Sequence, residues 1–396
     1  MYRKNLVFAA ACLGMLLFGI VFLSLGSVNN MLAERFKLDD QAIGTLTALL
    51  PFGILAGSLI FGSIVDRFGY RWLLVISSLV VGGALEGIAA TSSRQLVQFC
   101  VFAIGFGGGM LNGATNALTA DVSEGERGAK LSLLGVFFGI GALLMPSTLA
   151  ALSHSYSAST IVAAIGTLVL IPAVYCLLIE FPPPKMQSAL LTPFVGFALL
   201  RDPFFLAACL AMAIQSGMEG MSNDWMTRYF KMVVIPPENF TERSAQLSLV
   251  SLTAAMVATR FVLAGLLKWI ASPIALAASI GLTALGAIVL LQTSAGSVTP
   301  ALIGAGLIGC GLAAIFPVVL GYVGDRYPSL SGTAFSTIFV VALAGNMAIN
   351  KTFGLVAQHH GVAQYPKMML GLLACSAVLL FIVVKRIGSA FPKSTS

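Results

Sequence analysis

The sequence predicts an all-α integral membrane protein whose twelve transmembrane helices form two pseudo-symmetric six-helix bundles. Three observations carry this. Mean hydropathy is +0.96. Hydrophobic residues make up 58% of the 396 positions and charged residues 9%, too few ions to clothe a water-soluble fold of this size. The apolar runs are continuous and of helical length, whereas strands of a membrane β-barrel read as short alternating segments. At about 20 residues per crossing of a ~30 Å hydrocarbon core, the chain has room for roughly twelve crossings. Third, the two halves repeat one another weakly.

The runs fall near 5–33, 41–64, 72–92, 95–120, 129–152 and 159–180, then 203–228, 245–267, 270–294, 299–322, 331–357 and 366–385. The first follows Met1-Tyr2-Arg3-Lys4 and continues to about Asn30 without a small-x-small cleavage site, so it is read as a retained helix and not a signal peptide. A charged turn, Gly62 to Arg71, separates the second run from the third. The fourth carries Gly105, Gly107, Gly108 and Gly109, which lack the lysine and hydroxyl of a phosphate loop and suit close helix packing. The fifth contains Pro146, and the sixth ends at Phe181-Pro182-Pro183-Pro184-Lys185. That is the longest interruption, and it divides the chain into a first bundle (1–180), a cytoplasmic linker (181–202) and a second bundle (203–396).

Repetition supports the division. Leu118 to Gly128, with Asp121 and Arg127, has a counterpart in Leu320 to Gly332, with Asp325 and Arg326, each following a helix at the same place in its half. Phe138 to Pro146 maps likewise onto Leu343 to Asn350. Basic residues set the orientation. With the N-terminus inside, Arg3, Lys4, Arg67, Arg71, Arg127, Lys130, Lys185, Arg201, Lys268, Arg326, Lys385, Arg386 and Lys393 are cytoplasmic. Arg35, Lys37, Arg94, Arg228, Lys231, Arg243 and Lys367 lie outside. This bias predicts both termini in the cytoplasm, and the short termini and compact loops suggest a bacterial inner membrane.

Gly62-Ser-Ile-Val-Asp66-Arg67-Phe-Gly69-Tyr-Arg71, of the form G-x-x-x-D-R-x-G-x-R after the second helix, resembles the loop motif of the major facilitator superfamily. The resemblance covers essentially the whole chain and implies the major facilitator fold, with Asp66, Arg67 and Arg71 as gate residues. The alternative for these charges is a solvated, positive-inside turn. Gly217-Met218-Glu219 followed by Trp225 and Tyr229, and Gly311 to Pro317 in the tenth run, look like the fucose permease-like group of sugar:proton symporters. Leu111 to Asn116 and Phe137 to Leu143 are of the same style. Acidic proton sites of that group fall here on Asn30 and Asn112, which cannot titrate, so coupling needs another carboxylate.

Ionisable groups at membrane depth cost at least about 2.5 kcal/mol and persist where they face protein or a wet cavity. Glu219 lies about 16 residues into the seventh run, roughly 24 Å along it. It is the best-placed proton site, and Asp224 is a second candidate. The alternative for Glu219 is structural pairing with Arg260 or Lys351. Lys351 could neutralise Glu219 or Asp224, or contact an anionic solute.

Amides crowd the same runs: Asn30, Asn112, Asn116, Gln215, Asn223, Asn346 and Asn350. Amides donate and accept at once, and an aromatic face such as Trp225 or Tyr229 matches the apolar side of a sugar ring. Any single amide also serves as helix–helix glue. The expectation is a monomeric secondary transporter, not an enzyme, that moves a small-molecule solute across a lipid bilayer. The solute is read as a sugar with proton symport. A gradient-free facilitator and an efflux carrier of amphipathic drugs, organic anions or lipids are the competing readings. No cofactor, metal or nucleic-acid partner is expected. The six cysteines fall in separate apolar runs as packing residues.

Overall fold

The computed structural model describes residues 2–37, 40–152, 155–184, 195–236 and 242–390. Linker residues 185–194, His154, Asn239 and Lys393 lie outside them, as do the side chains of Asn30 and Pro146. There is no strand among the described residues. The first half contains α1 (Lys4–Phe36), α2 (Asp40–Phe68), α3 (Tyr70–Ala90), α4 (Arg94–Val122), α5 (Arg127–Leu152), α6 (Ala158–Leu168) and α7 (Leu170–Leu178). A short α8 (Val195–Ala198) leads into α9 (Pro203–Tyr229), α10 (Glu242–Leu266), α11 (Ser272–Gln292), α12 (Val298–Leu312), α13 (Ile315–Arg326), α14 (Ser331–His360) and α15 (Tyr365–Ala390). Among the described residues, twelve segments are long and apolar enough to cross a membrane. Large apolar side chains sit exposed, Leu178 at 79% and Phe381 at 68%, as lipid-facing residues do.

Two predicted runs are interrupted. The sixth divides into α6 and α7 at Val169, and the tenth into α12 and α13 at Ala313 and Ala314. Pro172 and Pro317 have no N–H, which deprives the carbonyls of Leu168 and Ala313, four residues earlier, of their helical donors. The start of α9 is conventional: the Asp202 carboxylate accepts from the Phe204 N–H at 2.9 Å, and Pro203 takes the first helical position.

The chain forms two compact units. In unit 1, α4 packs on α1, α2 and α3, and α3 also packs on α6 and α7. Glycines bring α2 and α4 together, since a Cβ at Gly109 would stand within bonding range of the Ile54 carbonyl. In unit 2, α12 packs on α10 and α11, while α9 packs on α15. The units depart from a simple cut at the linker. Unit 1 comprises Met1–Glu124, Leu134–Gly196 and Tyr327–Phe339, and unit 2 comprises Gly125–Leu133, Phe197–Arg326 and Val340–Ser396. The first turns of α14 therefore pack with the first half of the chain, and the first turns of α5 with the second half.

Between α2 and α3 the chain turns on one residue, Gly69, whose φ of 80° and ψ of −178° lie where only glycine rests without strain. Gly69→Ala is expected to cost about 1–3 kcal/mol. It should lower the melting temperature of detergent-solubilised protein, and an unchanged melting curve would refute the assignment of strain.

Candidate functional site

The glycines of the Gly62–Arg71 motif allow close approach, and its charges then serve different partners. A Cβ at Gly62 would meet the carbonyl of Gly332 at 2.5 Å, so the first turn of α14 rests directly on α2. Asp66 is buried there. Its Oδ2 accepts from the Thr333 backbone N–H at 2.9 Å and from the Thr333 hydroxyl at 2.5 Å. A carboxylate at a helix N-terminus satisfies free N–H groups and is favoured by the helix dipole. Arg71 turns to the end of α7 and donates to the Leu177 carbonyl. The half-buried Arg67 lies 5.3 Å over the Phe68 ring.

Three further groups hold the same segment in unit 1. Asp121 Oδ1 accepts from the Ser331 hydroxyl at 2.8 Å, and its Oδ2 accepts from the Tyr70 hydroxyl. Ser336 donates to the Ser58 carbonyl at 2.5 Å. In unit 2 the start of α5 is held by ions instead. Arg127 pairs with Asp325, and Glu126 pairs with Lys268 at 3.1 Å. Asp325 follows the repeat of Asp121, so acids at equivalent places engage a hydroxyl in one unit and a guanidinium in the other. Arg326 pairs with Asp202 at 3.1 Å and lies over the Phe204 ring. Tyr70, Asp121, Arg127, Asp325, Ser331 and Thr333 are absent from the sequence-predicted gate. Only the internal repeat pointed to Asp121, Arg127 and Asp325, since a serine, threonine or tyrosine in an apolar run carries no pairing signal.

The predicted amides divide between the units. In unit 1, Asn116 is buried and donates to the backbone carbonyl of Asn112 at 2.8 Å and to its Oδ1 at 3.1 Å, leaving half-buried Asn112 as the outer member. In unit 2, Asn346 donates to the Ser216 carbonyl at 2.9 Å, and Asn350 donates to Asn346 Oδ1 at 2.9 Å. Two asparagines four residues apart thus bond in both α4 and α14. Asn350 Oδ1 has no hydrogen-bond partner. Gln215 is fully buried and donates at 2.9 Å to the Leu312 carbonyl, at the break between α12 and α13. This bond closes the interrupted tenth helix, a structural role.

Glu219, on α9, has a side chain 24% exposed, and the nearly buried Arg260 on α10 approaches it at 3.8 Å, beyond hydrogen-bond length. Two sequence expectations are corrected here. Lys351 is exposed and pairs with neither Glu219 nor Asp224 among the described residues, because it lies across α14 from the face on which Gly345 and Ile349 meet α9. Tyr229 is only 2% exposed and donates its hydroxyl to the Leu290 carbonyl at 2.7 Å, with Tyr365 beside it at 5.7 Å between ring centroids. It is therefore a packing residue and offers no ring face to a solute. Trp225 is half-buried, edge-on to Phe353 at 5.0 Å, with the Arg228 guanidinium 5.5 Å from its ring. Asp224 is exposed and Asn223 half-buried beside it.

The model of the Major Facilitator Superfamily matches residues 7–350. Among solved structures, the FucP transporter in its outward conformation superposes with a TM-score of 0.80 at 18% identity, over 97% of this chain and 99% of that one. The MFS-type transporter YfkL of Bacillus subtilis is 22% identical over 356 residues, 87% of each chain. Organic anion transporter 3 of Sus scrofa is 28% identical over 118 residues, 30% of this chain and only 21% of that protein's length. With a family match running from α1 into α14 and a fold shared along nearly its whole length, the chain belongs to the major facilitator superfamily.

Proposed function

We propose that the protein is a secondary transporter in a bacterial cytoplasmic membrane, moving a small polar solute by alternating access, with proton symport through Glu219 and a sugar as solute. The observation that carries this reading is the setting of Glu219. It is a partly exposed carboxylate inside a membrane span, held by a single cation at 3.8 Å. Burial of an ion is costly enough that a carboxylate is retained there for a reason, and a loose partner lets it gain and release a proton. The sugar assignment draws on the paired amides Asn112 with Asn116 and Asn346 with Asn350. Amides donate and accept at once, which suits a ligand that brings hydroxyls. FucP, of the same fold, is named as a fucose:proton symporter.

Uptake into proteoliposomes tests the reading, with labelled monosaccharides supplied under an inward proton gradient. At least one neutral sugar is expected to accumulate, and a protonophore should abolish the accumulation. Equilibration without accumulation identifies a facilitator and removes proton coupling.

One observation favours a second reading, an organic anion as solute. Lys351 is an exposed cation inside a span with no ion pair among the described residues, and the pig relative is named for organic anions. On that reading Lys351→Met raises the KM for benzoate about tenfold or more, the worth of a charge-assisted bond. On the sugar reading the same variant leaves sugar KM within about twofold, and benzoate is not carried.

A further inference from the structure

We infer that Ser132 is a positioning residue for Glu219, because its hydroxyl ties Arg260, the partner of Glu219, to the first turns of α5. The proton state of Glu219 and the seating of residues 125–133 on α10 are thereby linked. This rests on the reading of Glu219 as the proton-carrying group.

Ser132 is fully buried and donates to the Arg260 carbonyl at 2.7 Å. Several buried hydroxyls bond back into their own helices, as Ser78 does to Leu74, Thr115 to Leu111 and Thr283 to Ser279, the default for serine and threonine inside a helix, whereas Ser331 and Ser336 cross to other helices. Ser132 also crosses to another helix, and it reaches the residue whose side chain approaches Glu219. Arg260 and Ser132 both lie within unit 2. The contact has a companion, since Glu126 pairs with Lys268 at 3.1 Å, just beyond the end of α10. Residues 126 to 132 therefore lie antiparallel to residues 260 to 268, along roughly 9 Å of the one and 12 Å of the other. The segment clamps α10 at two places.

The geometry makes Arg260 sensitive to this clamp. At 3.8 Å the guanidinium is attracted to Glu219 without a hydrogen bond to fix it, so its backbone anchor sets how near it stays. Charged groups on elements packed against α9 include Lys268 beyond α10, Asp325 and Arg326 on α13, Lys351 on α14 and Lys367 on α15. Among the described residues, none but Arg260 pairs with Glu219 within 4.0 Å. A seated segment holds Arg260 near the carboxylate, where the two opposite charges attract. By reciprocity, a proton on Glu219 weakens the seating. Loading of the proton would then be communicated to the start of α5, where Arg127 and Glu126 make their ion pairs.

Hydrogen–deuterium exchange of the full chain in nanodiscs tests this. The probe is the peptide 125–133, followed against pH after correction for intrinsic exchange, with peptides from α4 as the control for folding. Wild type is expected to lose protection as pH falls. Glu219→Gln should remove that transition. Ser132→Ala should move it to higher pH by about half to one unit, a three- to tenfold change in proton concentration. Ser132→Cys, with a weaker donor of similar size, should fall between. The Ser132→Ala, Glu219→Gln double variant should show no transition, as Glu219→Gln alone shows none. A wild-type transition in Ser132→Ala overturns the role of Ser132 and leaves Glu219 standing. A transition that survives Glu219→Gln belongs to the Glu126 and Asp325 ion pairs that hold the same segment and overturns its link to Glu219, while uptake by the same variant tests the proton role of Glu219 separately.

Discussion

Replacement of Glu219 by glutamine is expected to end concentrative uptake while solute exchange across the membrane continues. One proton crossing a potential of 100 mV carries about 2.3 kcal/mol, enough for roughly fifty-fold accumulation of a coupled solute. Glutamine keeps the shape and one acceptor but cannot load a proton, so the steady-state ratio should fall from as much as about fifty to about one. Exchange needs only that the loaded carrier change its facing. The glutamine also frees Arg260 from its one carboxylate partner, which by itself is destabilising inside a span. Measurement of both activities on the same proteoliposomes separates the effects, because misfolding lowers exchange and uptake together. Accumulation at the wild-type ratio would exclude Glu219 from coupling.

Asp66→Ala carries the second large effect. The carboxylate receives two bonds from Thr333 at the N-terminus of α14. A charge-assisted bond combined with the helix dipole is worth about 2 kcal/mol, so the first turn of α14 should open roughly 30-fold more often. Asp66→Asn retains an acceptor and loses the charge, which predicts about 1 kcal/mol, or roughly fivefold. Amide exchange of peptide 331–339 reads this directly, and transport should slow in the same order. Equal protection in all three proteins would show that Asp66 does not hold this segment. Through this contact the Gly62–Arg71 motif packs against α14 within unit 1. Its glycines allow the approach, its aspartate makes the bond, and Arg71 closes the end of α7.

Much of the architecture was legible in the sequence because membrane insertion imposes long apolar segments whatever their partners. The runs predict the spans, and the repeat of Asp121 by Asp325 predicts that equivalent acids stand at equivalent helix ends. Pro172 and Pro317 broke their runs at Val169 and at Ala313–Ala314 while Pro51 sits inside unbroken α2, a difference that hydropathy alone does not register. The candidate site was legible only in part. Glu219 stands out in the sequence because a carboxylate in an apolar run is costly wherever it points, and the structure adds the approach of Arg260. Tyr229 was misread because an aromatic residue near a helix end has the same local signature whether it faces a solute or, as here, the Leu290 carbonyl. For Lys351 the sequence left both a carboxylate partner and an anionic solute open, and side-chain direction around α14 leaves it without the former among the described residues.

By itself, the sequence determined the all-helical class, the twelve spans and the superfamily, since each depends on local composition or on a short motif. Tertiary structure alone decided which polar groups meet. Gln215 with the Leu312 carbonyl, Ser132 with the Arg260 carbonyl and Asp66 with Thr333 join residues 97, 128 and 267 positions apart. Such pairings depend on helix rotation and register. A turn of 100° between neighbouring residues sends one side chain to a partner and the next to lipid, and no local pattern records which.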